Sequence, residues 1–313
     1  MFQLPCPLRI AAVAFTLSLA AAKTPAAEPF SPAPAPLESF DARTLHVDKF
    51  GSGAQTLVLI PGLVSGPWVW YDTIKKFAPT YTIYAITLPG FDGRPATNEK
   101  PLFTVFARDF WAMLAAHKIQ NPIVIGHSLG GTLAIALAEE HPERLSGIIA
   151  VDGLPVFPTL AYANSEQREA MASEMTKNLD SSTKEDELAG QKNYMSTIGT
   201  NKPELVEPAA RLLSRSDPKA IAAWMREDLA NDLRPNLSKI TTPFLEIMPY
   251  DPADAKPPFA YTQEQTLAFY KSILAGAPKA IVVTVAPSRH FVMLDQPDAF
   301  YKAVADFLSS IHH

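Results

Sequence analysis

The segment from Pro122 to His141 constrains this chain more than any other stretch of it. Pro122-Ile123-Val124-Ile125 is an apolar run with the length of a buried strand. It ends in Gly126-His127-Ser128-Leu129-Gly130-Gly131, after which the helical pattern Thr132-Leu133-Ala134-Ile135-Ala136-Leu137-Ala138 begins. A serine in the middle of G-x-S-x-G, set between strand and helix, stands on a sharp turn that exposes its hydroxyl. Bulky side chains at the flanking positions would collide with the adjoining strands and helix, which is a steric reason for Gly126 and Gly130. The helix that follows aims its first N–H groups back at the serine, where they favour negative charge.

A strand–turn–helix unit of this kind needs a sheet covered on both faces, and the rest of the chain has the pattern for one. β-branched runs at 56–60, 81–88, 122–125, 145–151, 244–248 and 280–285 alternate with helical stretches near 102–118, 130–141, 262–275 and 297–311. This alternation predicts an α/β fold with a mostly parallel sheet flanked by helices. Residues 156–236 interrupt it. They are rich in Ala, Glu, Met and Lys, contain no strand-like run, and read as a helical cap inserted into a core formed by 44–155 and 237–313.

The beginning of the chain reads as an address. Residues 10–22, IAAVAFTLSLAAA, follow Arg9 and end on small residues, the pattern of a secretory signal peptide over 1–22. At about 1.5 Å per residue the run is too short for a roughly 30 Å hydrocarbon core, so no stable membrane span is expected. Residues 23–43 are Pro- and Ala-rich and read as an extended tether. Secretion or a periplasmic location follows from the leader. The single cysteine, Cys6, excludes an internal disulfide framework and a Cys-rich zinc or iron–sulfur site. With 27 Lys and Arg against 32 Asp and Glu, the net charge of −5 offers no field for nucleic acid or an anionic bilayer. At 47% hydrophobic and 19% charged residues, the composition is that of a folded chain.

From residue 44 onward the chain resembles the α/β-hydrolase superfamily. The resemblance rests on the elbow around Ser128, on Ile60-Pro61-Gly62-Leu63-Val64-Ser65-Gly66-Pro67-Trp68-Val69-Trp70 after an earlier strand, and on Ser288-Arg289-His290-Phe291-Val292-Met293-Leu294-Asp295-Gln296-Pro297 between the last strand and last helix. It implies that Ser128 is the nucleophile, His290 the base, and the amides of Leu63 and Leu129 the oxyanion hole. His127 adjoins the serine but faces away on a tight turn, and the remaining histidines lie outside these motifs. Leu88-Pro89-Gly90-Phe91-Asp92-Gly93 is also family-like and receives no role. Two acids compete for the third position. Many relatives carry Gly-x-x-Asp after the strand that follows the insertion; here Pro249 replaces the glycine and Asp251 comes one residue early. Asp152 ends the strand after the nucleophile helix, where haloalkane-dehalogenase-like relatives place their acid. Asp152 is the first choice, Asp251 the alternative, and Asp254 stands behind both.

The implied chemistry is acyl transfer through a covalent serine intermediate, with no cofactor, no metal and a small-molecule ester as partner. A serine at the elbow counts against the dehalogenases and epoxide hydrolases of this superfamily, which use a carboxylate there. A carboxylester hydrolase for small to medium neutral esters is the leading expectation. Amide or C–C bond hydrolysis and acyl transfer use the same three residues, and a ligand-binding module on the same fold is the rival of a different class. The leader makes one testable statement: the N-terminus of material recovered outside the cytoplasm should lie near Lys23, and active soluble protein starting at Met1 would contradict it.

Overall fold

The computed structural model describes residues 30–177, 179, 183–256 and 260–311; the expected signal peptide lies outside the described residues. The strands are β1 (Glu38–Ala42), β2 (Leu45–Phe50), β3 (Thr56–Ile60), β4 (Thr82–Thr87), β5 (Ile123–His127), β6 (Gly147–Val151), β7 (Phe244–Pro249) and β8 (Ala280–Val285). They form one sheet in the order β1-β2-β4-β3-β5-β6-β7-β8. β3 to β8 run parallel, while β2 is antiparallel to both β1 and β4. The expected mostly parallel sheet is therefore present.

Alternation within the strands explains why the sheet has two cores. Val58, Ile60, Val124 and Ile148 turn to one face, where they join Phe106 and Phe110 of α2 (Leu102–Ala116) and Leu133 and Leu137 of α3 (Leu129–Glu140). Leu57, Leu59, Ile123, Ile125 and Ile149 turn to the other face. There they meet Ile74 of α1 (Tyr71–Phe77) and Phe300 and Val304 of the C-terminal helix. With both faces covered, the central strands read as continuous apolar runs, and β5 and β6 are buried at every position.

Among the described residues, four α-helices occupy the chain between β6 and β7: α4 (Ser165–Thr176), α5 (Lys184–Tyr194), α6 (Pro203–Leu213) and α7 (Pro218–Ala230). Asn164 with Gln167 and Thr183 with Asp186 form capping boxes that start α4 and α5. α4 packs on α7 and α5 on α6, and a lone antiparallel bridge between Val156 and Asp232 draws the two ends of the segment together. After β7 come α8 (Gln263–Ile273), the short α9 (Val292–Asp295) and α10 (Pro297–Ser310).

One boundary differs from the sequence expectation. The segment read as a tether through residue 43 contains β1, paired with β2 from Glu38↔Lys49 to Ala42↔Leu45. Phe40 is the physical reason: its ring stacks on His117 at 3.9 Å and meets Tyr84 edge-on at 6.4 Å, so the strand has an apolar anchor on the core. Phe30 also packs, with its ring 5.2 Å from that of Trp68.

The topology places the site. From β3 the chain moves to β4 on one side and then returns to β5 on the other, which opens a crevice beyond the carboxyl ends of β3 and β5. The segments that begin at Pro61 and at Ser128 leave the sheet at that crevice.

Candidate active site

Three neighbouring strands are followed by residues with left-handed backbone. Val64, four residues beyond β3, has φ 67°; Ser128, directly after β5, has φ 52° and ψ −122°; Asp152, directly after β6, has φ 51°. Such conformations cost of order 1–3 kcal/mol each for non-glycine residues and persist only where the surroundings over-determine them. Ser128 is held by its amide, which donates to the Val151 carbonyl at 2.9 Å, and Asp152 by its amide on Ile247 at 3.0 Å. The elbow also requires close approach: a Cβ on Gly126 would lie 2.0 Å from the Gly130 carbonyl oxygen, and one on Gly130 would lie 2.3 Å from that of Ile60. The collision anticipated from the motif is thus with the backbone of β3 and of the elbow itself.

The same edge brings the acid and the imidazole together across 138 residues. His290 Nδ1 donates to Asp152 Oδ2 at 2.5 Å, and the two side chains are only 15% and 16% exposed. With the proton on Nδ1, the Nε2 lone pair is available to accept one. The second carboxylate oxygen of Asp152 accepts a hydrogen bond from the Tyr270 hydroxyl on α8. Behind His290 lies His127, fully buried, with ring centroids 4.5 Å apart. His127 Nε2 lies 3.1 Å from the His290 carbonyl, which can only accept, so the His127 proton sits on Nε2. Burial holds the His127 pKa well below the usual imidazole value, and the nearby His290 adds to this, so the ring is neutral.

Asp251 is elsewhere. Its Oδ1 accepts from the Ala253 amide at 2.9 Å and its Oδ2 from Asn201 Nδ2 at 3.2 Å, with Arg289 Nε 4.0 Å away. Asp254 forms the stronger half of that cluster, taking Arg289 Nε and Nη2 at 2.7 and 2.5 Å. Arg289 also donates to the carbonyls of Ser196 and Thr200 at 2.8 and 3.2 Å. The amides of His290 and Phe291 reach the carbonyls of Ile198 and Gly199 at 3.2 and 2.9 Å. These acceptors lie in and just after the π-helical turn Met195–Gly199 that follows α5. Asp251 and Asp254 therefore brace the histidine loop through Arg289, while the imidazole itself bonds to Asp152.

At the β3 side, the Ser65 amide closes a turn on the Gly62 carbonyl at 3.1 Å, a bond in which the Leu63 amide takes no part. Leu129 opens α3, where first-turn amides have no intrahelical acceptor. A Cβ on Gly62 would lie 3.0 Å from Ser128 Cβ and 2.8 Å from His127 Nδ1, so this turn rests against the elbow. Among the described residues, no group of three or more His, Cys, Asp or Glu is placed to hold a metal ion, and no helix is long and apolar enough to cross a membrane.

A family profile described as alpha/beta hydrolase fold matches residues 55–231, more than half of the chain. The chain belongs to this family, and it is a hydrolase. It is 26% identical over 274 residues to a pimeloyl-[acyl-carrier protein] methyl ester esterase from Yersinia enterocolitica, covering 85% of this chain and 97% of that protein. A protein of the same description from Aeromonas hydrophila is 32% identical over 114 residues, which span 36% of this chain and 43% of that protein. Among solved structures, that of MenH from S. aureus superposes with a TM-score of 0.68 at 19% identity, covering 86% of this chain and 99% of that one.

Two residues of this α/β-hydrolase site were not singled out by sequence reasoning. Tyr270 lies on a helix with no motif, and only folding carries it to Asp152. Glu246 left a signal: it is an acid inside the apolar run Phe244–Met248. It is fully buried on β7, and neither carboxyl oxygen has a hydrogen bond of good geometry among the described residues. Burial pushes its pKa well above the usual carboxyl value and the Asp152 charge pushes it further, while nearby backbone amides offset only part of this. Burial and the Asp152 carboxylate nearby thus both favour the protonated form of Glu246.

A stability signature follows. Above pH 4.5, the usual glutamic acid value, the unfolded chain loses the Glu246 proton while the folded chain keeps it. Folding then takes up a proton, and this group lowers stability by about 1.4 kcal/mol per pH unit until the native carboxyl itself ionises. Glu246→Gln removes that term. Urea unfolding from pH 4.5 to 7 should show the variant gaining on the wild type as pH rises; a constant difference would mean that Glu246 is ionised in the native state.

Proposed function

We propose that this hydrolase is a serine carboxylester hydrolase working through an acyl-enzyme, with Ser128, His290 and Asp152 as its catalytic residues. The observation that carries the reading is the Nδ1–Asp152 hydrogen bond of His290, made at the carboxyl edge of the sheet beside the Ser128 elbow. The curated relatives reported above, whose names describe a methyl ester esterase, favour an ester over an amide or a C–C bond as the scissile group.

In this mechanism Ser128 Oγ attacks the ester carbonyl carbon as its proton passes to His290 Nε2, giving a tetrahedral oxyanion. Asp152 stabilises the imidazolium and holds its tautomer without taking the proton. The Leu63 and Leu129 amides stabilise the oxyanion by about 3 kcal/mol each. Collapse breaks the C–O bond to the alcohol, which leaves with the proton from Nε2. Water then gives a proton to His290 and attacks the acyl-serine, and the acid is released as Ser128 recovers its proton. On this reading α4–α7 form a cap over the acyl group, and the leader directs the enzyme to the periplasm or the exterior.

A fluorophosphonate should label the protein stoichiometrically and fail to label Ser128→Ala; an unlabelled wild type would instead support a ligand-binding module. Asp152→Asn should lower kcat by about 10⁴-fold with the fold intact, while Asp251→Asn changes it far less. The reverse ranking, measured by steady-state kinetics, would return the acid to the loop after β7.

Substrate size gives a separate measurement. Each methylene that fits an apolar pocket adds about 0.8 kcal/mol until the pocket is full. Across p-nitrophenyl acetate to palmitate, kcat/KM should peak at an intermediate chain length. A steady rise to palmitate would indicate a lipase-like site.

A further inference from the structure

The turn Leu88–Gly93, which receives no role in the sequence, is the seat of a cap segment. Residues 214–217, Ser-Arg-Ser-Asp, join α6 to α7. The Gly93 amide donates to the Arg215 carbonyl at 3.1 Å, and the Asp217 amide to the Gly90 carbonyl at 2.7 Å. Arg215 Nη1 lies 3.2 Å from Asp92 Oδ1. Close packing seals this seat, since a Cβ on Gly90 would fall 2.1 Å from the Cβ of Ala220 on α7.

Ser216 sits at the centre of this contact with 5% of its surface exposed. Its hydroxyl accepts from the Asp92 amide at 3.1 Å and donates to the Val64 carbonyl at 2.8 Å. Both partners have left-handed backbone, Asp92 at φ 47° and Val64 at φ 67°. Val64 is the costlier case, because a β-branched side chain in that region is a steric outlier. It adjoins Leu63, and both lie in the turn closed from Ser65 to Gly62.

We propose that Ser216 is a positioning residue for the oxyanion hole: its hydroxyl pins the strained Leu63–Val64 turn from the cap side. The proposal rests on the reading of Leu63 as an oxyanion donor. Without this bond, Val64 can relax toward negative φ, and the peptides on either side turn with it; the Ser65 amide on one of them is bonded to the Gly62 carbonyl, which shares a peptide with the Leu63 amide, so that donor is displaced as well. A hole is effective only when its donors are already aimed at the developing charge. The hole is therefore complete when the 214–217 segment is seated, and a cap that lifts to exchange ligands also slackens the catalytic turn.

The test compares wild type, Ser216→Ala, Ser216→Cys and, as a control, Ser214→Ala, whose hydroxyl donates to the Ala210 carbonyl of the preceding helix. Kinetics on a p-nitrophenyl ester would be measured with the affinity for a trifluoromethyl ketone, which forms an oxyanion on the serine. In Ser216→Ala, kcat should fall about 10- to 100-fold with KM within about threefold, less than deleting a donor outright. Ketone affinity should fall in parallel with kcat/KM, Ser216→Cys should lie between Ala and wild type, and Ser214→Ala should match wild type. A lowered melting temperature with unchanged kcat and ketone affinity would overturn the proposal, as would a rise in KM alone. Should the alanine variant not fold, wild-type kcat in the near-isosteric cysteine variant would overturn it too. Wild-type protein inert to ester, ketone and fluorophosphonate would instead defeat the esterase reading itself.

Discussion

The last rung of the β5–β6 ladder is the contact on which the rest of the site depends. His127 pairs with Val151, and the Ser128 amide then donates to the Val151 carbonyl, so the two strands leave the sheet in register. A slip of one residue would turn each side chain to the opposite face. Because the register holds, Ser128 and Asp152 emerge side by side from strands spaced about 4.8 Å apart. Both carry a left-handed φ at the first residue beyond the strand. The strain of those residues is offset by the buried sheet behind them, which has no room to relax.

Around that rung lies a largely buried cluster of polar side chains. Asp152 accepts from both His290 and Tyr270, which satisfies each carboxylate oxygen. Burial penalises the charged forms of Glu246 beside it and His127 behind it, which favours the protonated acid and the neutral ring. A second full charge at either place would compete for the imidazole or its partner. One carboxylate facing one imidazole is the arrangement that remains.

The cap segment is joined to the site at two separate points. At one end, the turn after α5 offers the carbonyls of Ser196, Ile198, Gly199 and Thr200 to Arg289, His290 and Phe291. At the other, the segment between α6 and α7 binds the carbonyl of Val64 through Ser216. The segment between β6 and β7 thus reaches both the histidine loop and the β3 turn, and it supports the geometry of the site from both.

What was legible in the sequence was whatever a short stretch of chain settles alone. The elbow at Ser128 and the loop at His290 each lie between a strand and a helix only a few residues away, and local sterics leave such a unit few options. The parallel sheet was legible for the same reason, through runs that are apolar because both faces are covered. The choice between Asp152 and Asp251 was open, since each ends a strand and neither run of residues records which carboxylate faces the imidazole. That depends on how β6, β7 and the histidine loop pack, and packing put Asp152 on His290 while Arg289 and Asn201 took Asp251. Tyr270 and Ser216 likewise reach Asp152 and Val64 across 118 and 152 residues, and Glu246 feels the charge of Asp152 only because the fold sets their strands side by side. β1 was hidden because its pairing partner and the ring beneath Phe40 are what make it a strand. The sequence by itself determined the local geometry of the Ser128 elbow and the His290 loop; the tertiary structure decided which carboxylate faces His290, what surrounds that carboxylate and where the 156–236 segment makes contact, because those energies exist only between segments brought together by the fold.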